Sequence, residues 1–295
     1  MQRPRSEMSW ELVQNLGRIL QHYQTHDPRP ALVSWLGGEP FQWSHWRTAS
    51  EHFRHDLELQ LSVTTNGLAL RRSSIRSAAL NLFRQITISI DGLAAHHDAL
   101  RQAPGMFDSL REVVCSLNQD RSREHTLLRV NTVLTRENIG TFGLFCQTMA
   151  QWGVDELTFN PLGGNDRPDF FPSNRLLPEQ LAWFCARLPE WRANCLSLGL
   201  RICGSDGYLR RMVATAVGQA LPILDCDPGE DFLFVDERGH LSPCSFTTGQ
   251  YPTNLDGSQG FEKREWQVAF QRVRQTNCPK ACQDCHANHV FEKFS

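Results

Sequence analysis

The sequence carries no strong excess of charge of either sign. Its 295 residues include 30 Lys and Arg against 32 Asp and Glu, which gives a formal net charge of -2 at pH 7. Proteins that bind nucleic acid or anionic membrane surfaces through their overall field usually have a marked basic excess. The composition therefore predicts neither a nucleic-acid nor a membrane partner.

Long apolar runs are also missing. No stretch approaches the roughly 20 apolar residues that a helix needs to cross a bilayer, and the polar N-terminal residues do not resemble a secretory signal. Hydrophobic residues make up 40% of the chain and charged residues 21%, proportions that support a sizeable core. We therefore expect a cytoplasmic protein without a membrane span.

Cysteine is absent from the first third of the chain and crowded near its end. The first of the ten cysteines is Cys115. Close spacing in an intracellular protein favours metal or iron–sulfur ligation over a disulfide framework. A four-cysteine zinc site is the main alternative, and unligated thiols are a further one. The five candidate ligands are Cys226, Cys244, Cys278, Cys282 and Cys285.

Predicted strands alternate with predicted helices at intervals of about 30 residues, which is typical of βα units on a parallel sheet. The apolar runs predict strands over residues 31–36, 59–65, 86–90, 127–134, 156–159 and 197–202. Helical periodicity predicts helices over residues 9–23, 41–57, 73–83, 138–152, 178–194 and 207–220, with another that ends near residue 117.

The first of these strands, in the stretch ALVSWLGGEP at residues 31–40, ends at two glycines and a carboxylate. Gly37 and Gly38 lack the Cβ atoms that would keep a ligand away from the backbone. The next strands end in Thr65-Asn66-Gly67 and in Asp91-Gly92. Because the carboxyl ends of parallel strands meet at one edge, these polar clusters predict a shared ligand site there.

The pattern changes after Cys226. Residues 232–235 and 240–244 predict a β-hairpin, and residues 265–274 predict a helix before the Cys-x3-Cys-x2-Cys spacing of the tail. We therefore predict two domains, residues 1–222 and 223–295.

The motifs, in this order, resemble those of radical S-adenosylmethionine (SAM) enzymes of the SPASM/twitch type. The resemblance rests on Gly37-Gly38-Glu39-Pro40, on Thr65-Asn66-Gly67, and on Ser89-Ile90-Asp91-Gly92 followed by Arg101. In the tail, Cys226 is separated by twelve residues from Gly239, and Gly239 by four from Cys244, which matches the opening of the SPASM pattern. Any one motif is weak, whereas the whole set in the right order is specific.

The resemblance implies an α/β fold, a partial (β/α) barrel, with a small C-terminal SPASM/twitch-like domain. That domain would hold an auxiliary [4Fe–4S] cluster, for which the five tail cysteines suffice with one to spare. It also implies that SAM lies across the strand ends. Gly37, Gly38 and Glu39 match the segment that meets the amino group of SAM, and Pro40 completes that motif. The other implied SAM contacts are Ser89 and Arg101 near the ribose and the carboxylate, Asn131 and Leu162 near the ribose and the adenine, and Asp91 within the third motif.

One hallmark of these enzymes is missing from the sequence. Their SAM-cleaving cluster is held by a Cys-x3-Cys-x2-Cys loop after the first barrel strand, and the sequence contains neither that loop nor that strand before the helix at residue 9. Either the chain is a truncation or it is a variant that lost the chemistry. Cys278, Cys282 and Cys285 repeat the spacing but follow a helix, so we interpret them as ligands of the auxiliary cluster.

The resemblance implies an enzyme that cleaves SAM to a 5′-deoxyadenosyl radical and modifies a peptide or protein, or else a small cofactor precursor. A flavodoxin or ferredoxin would donate the electron. The missing loop leaves a second hypothesis, a catalytically silent barrel and metal-binding partner protein. A third is a zinc-stabilised α/β protein with no link to SAM.

Overall fold

The computed structural model describes residues 6–26, 29–122, 125–163, 169–219, 232–248, 250–251, 254–255, 263–276 and 293–294. These residues form two compact units. One unit comprises the described residues of Met1–Leu32, Trp43–Gln60 and Ala220–Val290. The other, called the sheet unit here, comprises those of Val33–Gln42, Leu61–Gln219 and Phe291–Ser295. The predicted domain boundary near residue 222 lies outside the described residues and stays a prediction.

A six-stranded sheet forms the centre of the sheet unit, and its strands follow one another in chain order. Every neighbouring pair from β2 to β6 is parallel. This architecture confirms the predicted α/β fold class and matches a partial barrel. The strands are β1 (Leu32–Trp35), β2 (Gln60–Thr65), β3 (Gln85–Ser89), β4 (Leu127–Leu134), β5 (Glu156–Pro161) and β6 (Arg201–Ile202).

Helices connect the strands and cover the apolar face of the sheet. Ile86, Ile88, Val130 and Phe159 alternate along the strands with polar residues and are almost fully buried. Phe159 packs edge-on against Phe142 and Phe184, with ring centroids 5.6 and 5.3 Å away. The connecting helices are α3 (Ser73–Leu82), α4 (Ala94–Arg101), α5 (Met106–Asp120), α6 (Phe142–Gln151), α7 (Phe171–Asn174), α8 (Pro178–Ser197) and α9 (Asp206–Ala216).

The other unit contains three helices and a short hairpin among its described residues. The helices are α1 (Trp10–His26), α2 (Trp46–Glu51) and α10 (Lys263–Thr276). The hairpin pairs β7 (Phe234–Val235) with the antiparallel β8 (Leu241–Ser242), as the sequence predicts for this stretch. At its turn, the carboxylate of Asp236 accepts hydrogen bonds from the backbone N–H groups of Arg238 and His240. None of the described helices is both long and apolar enough to cross a membrane.

Two predicted elements differ from the structure. The single helix predicted over residues 41–57 consists of a 3-10 turn at Pro40–Gln42, the helix α2, and a π-helical turn at His52–Asp56. The strand predicted over 197–202 begins only at Arg201, because helix α8 continues to Ser197. Gly199, at φ +86°, ends that helix, and the N–H of Leu200 returns to the carbonyl of Cys195 over 2.9 Å.

A substitution at Gly67, just after β2, tests the packing of the sheet unit. It has φ +83°, and an added Cβ would lie 2.7 Å from Leu110 Cδ2. We expect Gly67→Ala to lower the free energy of unfolding by about 3 kcal/mol, from backbone strain and overpacking together. Gly105 has φ +77° but open space around it, so Gly105→Ala should cost only about 1 kcal/mol. Equal losses in urea unfolding would contradict the packing described here.

Candidate functional site

One face of the sheet is polar, because the parallel register aligns polar side chains from neighbouring strands. Two rows of residues run across this face, which we call the polar face. Row one contains Thr87, Arg129, Glu156 and Arg201, which are register partners in turn. Row two, one pleat nearer the carboxyl ends of the strands, contains Ser89, Asn131 and Thr158.

Glu39 connects the ends of β1 and β2. Its carboxylate accepts a hydrogen bond from the Thr65 hydroxyl at 2.6 Å and another from the backbone N–H of Asn66 at 2.8 Å. Pro40 is buried in the turn that follows. Gly37 and Gly38 are exposed, and an added Cβ at either would meet nothing within 4 Å. The backbone beside Glu39 is therefore open to a ligand.

Asp91 and Arg101 form an ion pair after β3. The Asp91 side chain is 4% exposed, and its Oδ2 lies 2.9 Å from Arg101 Nε and 2.6 Å from Nη2. The other oxygen, Oδ1, accepts a hydrogen bond of 3.1 Å from the N–H of Val133 on β4. A third of the Arg101 side chain is exposed, so its guanidinium can still offer donors to a carboxylate.

His97 and Asn138 hold the Asp91 backbone in place. The Asp91 N–H donates to His97 Nδ1 over 3.0 Å, and Asn138 Nδ2 donates to the Asp91 carbonyl over 3.1 Å. His97 is fully buried, and that burial lowers its pKa. The neutral imidazole therefore accepts at Nδ1. Neither residue belongs to the predicted site, since nothing in the sequence shows that His97, eight positions after the end of β3, is buried against Asp91.

Lys293 reaches the polar face from the C-terminal segment. Its Nζ lies 2.8 Å from Asn131 Oδ1 and 2.8 Å from Asn160 Oδ1. The next residue, Phe294, places its ring 4.7 Å from the Arg129 guanidinium, and its carbonyl accepts a hydrogen bond from Arg201. Lys293 is 3% exposed. No sequence pattern marks Lys293 as a site residue, because a lysine is usually solvated.

The charges around Lys293 are mostly positive. Glu156 is the acidic residue of row one, and both Arg129 and Arg201 bind its carboxylate. Burial, followed by the charge of Arg129, lowers the pKa of Lys293 to about 7. The buried thiol of Cys203 lies near this group, and its own pKa is raised by burial and by Glu156.

The structure brings the predicted SAM-site residues together only in part. Ser89 and Asn131 are register neighbours on β3 and β4, and Asp91 pairs with Arg101. Leu162 follows β5, and its N–H donates to the Leu134 carbonyl at the end of β4 over 3.2 Å.

Of the predicted metal ligands, Cys226, Cys278, Cys282 and Cys285 lie outside the described residues. Cys244 is half-buried, and its sulfur lies 3.4 Å from the Thr247 hydroxyl. Within the described parts of the chain, no group of three or more His, Cys, Asp or Glu side chains is placed to hold a metal. The ligand set therefore stays a prediction.

The Asp91–Arg101 pair should contribute to stability as well as to the site. We expect Asp91→Asn to lower the free energy of unfolding by about 2 kcal/mol, because it weakens the pairing of Arg101 and the acceptor for Val133. The exposed pair of Asp108 and Arg111, 3.8 Å apart, provides the control. Asp108→Asn should change the value by less than about 0.5 kcal/mol in the same urea titration. Similar effects from the two variants would show that burial of Asp91 has no energetic consequence.

The lowered pKa of Lys293 makes stability depend on pH. The folded protein releases this proton near pH 7, whereas the unfolded chain keeps it to about pH 10.5. The cost of burying the charge is therefore fully present below pH 7 and falls as the pH rises toward 10. Relative to Lys293→Met, the wild-type protein should gain stability over this interval in denaturant titrations. A difference that does not vary with pH would show that the amine is not desolvated.

The fold is similar to those of several solved structures. SuiB from Streptococcus suis, in a structure bound to S-adenosylmethionine, matches with a TM-score of 0.66 and 14% identity over 96% of this chain and 67% of SuiB. SuiB bound to precursor peptide SuiA gives 0.62 and 14% identity over 86% of this chain and 57% of that one. Native anSMEcpe with bound AdoMet (SAM) and Kp18Cys peptide gives 0.64 and 15% identity over 97% of this chain and 80% of that one.

Neither a protein-family model nor a curated protein matches this sequence. The chain spans 57–67% of the length of the SuiB chains described above. At 14–15% identity the similarity establishes a common fold. By fold, therefore, this protein is similar to SuiB and anSMEcpe.

Proposed function

We propose that this protein is a radical SAM-type enzyme, or part of one, which binds SAM at the carboxyl ends of β1 to β5. The observation that carries the proposal is the position of Glu39. Its carboxylate connects the ends of β1 and β2 directly beside two exposed glycines. Ligands of parallel α/β folds bind at these strand ends. The fold that the chain has in common with SAM-bound SuiB supports the proposal.

The groups at the strand ends have the chemistry that the methionine part of SAM requires. An ammonium needs acceptors, and Glu39 and the open backbone at Gly37 and Gly38 supply them. A carboxylate needs donors, and the partly exposed guanidinium of Arg101 supplies them. Asp91 holds that guanidinium in place, and Pro40 fixes the turn after Glu39.

The nucleoside part of SAM would lie beside β3, β4 and the end of β5. Ser89 offers a hydroxyl and Asn131 an amide, both half-exposed on adjacent strands. Leu162 follows β5 and offers an apolar surface to the adenine. Together with the methionine contacts, these residues would form a path from the end of β1 to the end of β5.

The proposed chemistry also needs iron–sulfur clusters. When SAM is bound beside a [4Fe–4S] cluster that reduces it, the pair supplies a 5′-deoxyadenosyl radical that abstracts hydrogen from a substrate. We propose that four of the five cysteines Cys226, Cys244, Cys278, Cys282 and Cys285 hold an auxiliary [4Fe–4S] cluster in a SPASM/twitch-like domain, since these spacings suit iron–sulfur ligation.

We propose a peptide or protein as the substrate. SuiB was solved with precursor peptide SuiA, and anSMEcpe with the Kp18Cys peptide, and both have the fold of this chain. A small cofactor precursor is the second choice. In a cytoplasmic setting, flavodoxin or ferredoxin would supply the electron for SAM cleavage.

Binding of SAM to variants of Glu39 tests the proposed site. Glu39→Gln removes the negative charge that faces the ammonium, and we expect the Kd for SAM to rise about tenfold or more in anaerobic calorimetry. Glu112→Gln, an exposed change on α5, should leave the Kd unchanged. Thermal unfolding of both variants separates lost binding from lost folding. Equal affinity in the wild type and Glu39→Gln would exclude Glu39 as a ligand of SAM.

A second measurement separates the enzyme from the silent alternative. The anaerobically reconstituted protein is analysed for iron and sulfide, reduced with dithionite, and assayed for 5′-deoxyadenosine with SAM present. Release of 5′-deoxyadenosine, together with an EPR signal that shifts on addition of SAM, supports the enzyme. SAM binding without release supports a silent partner protein, and zinc in place of iron supports the structural alternative. A wild-type chain that does not bind SAM would overturn the proposal.

A further inference from the structure

Lys293 lies between two amide side chains of the polar face. Its Nζ is 2.8 Å from the Oδ1 atoms of both Asn131 and Asn160. Asn160 Nδ2 donates to Asn131 Oδ1 over 3.1 Å, so the three groups form a closed triangle. The segment around Lys293 is far in sequence from β4 and β5, yet it contacts the residue expected to lie near the ribose of SAM.

The ammonium group of Lys293 determines the orientation of the Asn131 and Asn160 side-chain amides. Below its pKa of about 7, Lys293 has three N–H donors and no acceptor, so only the oxygen of each amide can face it. The Thr158 hydroxyl agrees with this orientation, since Thr158 Oγ1 donates to Asn131 Oδ1 over 3.0 Å. Three donors therefore converge on Asn131 Oδ1.

The opposite end of the Asn131 amide remains available. Within the described residues, Asn131 Nδ2 donates no hydrogen bond to the protein, and Asn131 is half-exposed. A primary amide group offers two N–H donors. Such donors suit the hydroxyl oxygens of a ribose or the ring nitrogens of an adenine.

The charges around Lys293 indicate that burial of this lysine does not stabilise the fold. Its hydrogen-bond acceptors are neutral oxygens, while the nearby carboxylate of Glu156 is bound by Arg129 and Arg201. Burial of an ammonium without a paired carboxylate is costly. The other titratable groups near it are the Cys203 thiol and the Tyr208 hydroxyl, both with raised pKa values from burial. A costly buried charge is more common at functional sites than elsewhere.

We propose that Lys293 is a positioning residue of the SAM site, which fixes the amides of Asn131 and Asn160 so that Asn131 presents its N–H donors to the nucleoside. This inference rests on the proposed function. It adds to the proposed SAM site a residue that is distant in sequence from the strand-end motifs. It also predicts that Lys293 acts on ligand affinity only through Asn131.

A double-mutant cycle tests that dependence. Anaerobic calorimetry, at a pH below the pKa of Lys293, would measure the Kd for SAM of the wild type, Lys293→Met, Asn131→Ala and the double variant. We expect each single variant to bind about tenfold more weakly, and the double variant to bind no more weakly than Asn131→Ala alone. Losses that simply multiply would show that Lys293 acts independently, as a structural residue does. Tighter binding by Lys293→Met would show that the segment occludes the site instead.

Two further variants control for folding and charge. Arg210→Met removes an exposed cation from helix α9 and should leave the Kd for SAM unchanged. Lys293→Gln carries an acceptor as well as a donor, so it allows either amide to turn over. It should weaken SAM binding to the same extent as Lys293→Met. Wild-type affinity in Lys293→Gln would overturn the proposal, even if Lys293→Met were poorly folded.

A measurement without SAM separates this inference from the proposed function. In the ligand-free protein, the side-chain amide NMR signals of Asn131 and Asn160 can be assigned with Asn→Ala variants. Lys293→Met should shift both pairs of signals and Arg210→Met neither. If the wild type fails to bind SAM, the proposed function fails while these shifts still report the orienting contact. Unmoved amide signals would refute the role of Lys293 whatever the SAM result.

Discussion

The register of the parallel strands is the constraint on which the candidate site depends. Thr87, Arg129, Glu156 and Arg201 are far apart in sequence, and they lie side by side only because each strand pairs with the next in a fixed register. A shift of one residue on any strand would exchange its polar and apolar faces. The buried aromatic packing of Phe159 with Phe142 and Phe184 opposes such a shift. The core therefore stabilises the alignment of the polar face.

Hydrogen bonds to polar side chains, rather than further backbone pairing, connect the strand ends. Glu39 connects β1 to β2, and Asp91 connects the end of β3 to β4 through the N–H of Val133. Each carboxylate accepts several donors, which keeps its position fixed before any ligand arrives. The groups at different strand ends differ in whether they offer hydrogen-bond acceptors or donors. Acceptors predominate at the end of β1, and donors at Arg101 and Asn131.

The charged side chains at the polar face form two sets that differ in their balance of positive and negative charge. Glu156 pairs with the buried Arg129 and with the exposed Arg201, and Lys293 adds a buried positive group whose acceptors are neutral amides. An excess of buried positive charge is unfavourable by itself. The cation–π contact of Phe294 with Arg129 offsets a part of this cost.

Much of this protein was predictable from local patterns in its sequence. Alternating strands and helices indicated the α/β sheet, and the breakers after each strand indicated where polar groups would gather. Gly37, Gly38 and Glu39 could be assigned to the carboxyl edge of the sheet, because hydrophobic periodicity and strand-ending residues are local properties of the chain. Where two local preferences competed, as at the end of α8 near Gly199, the predicted boundary was wrong.

Other features were decided only by tertiary structure. Lys293 has no pattern that separates it from a solvated tail residue, and its burial follows from the return of residues 293–294 to the polar face. Likewise, the acceptor role of His97 depends on the backbone of Asp91, which only the folded chain brings within 3.0 Å. Sequence determines which groups are present and in which element they lie. Long-range contacts decide which of them meet, because the energy of a buried charge or hydrogen bond depends on neighbours distant in the chain.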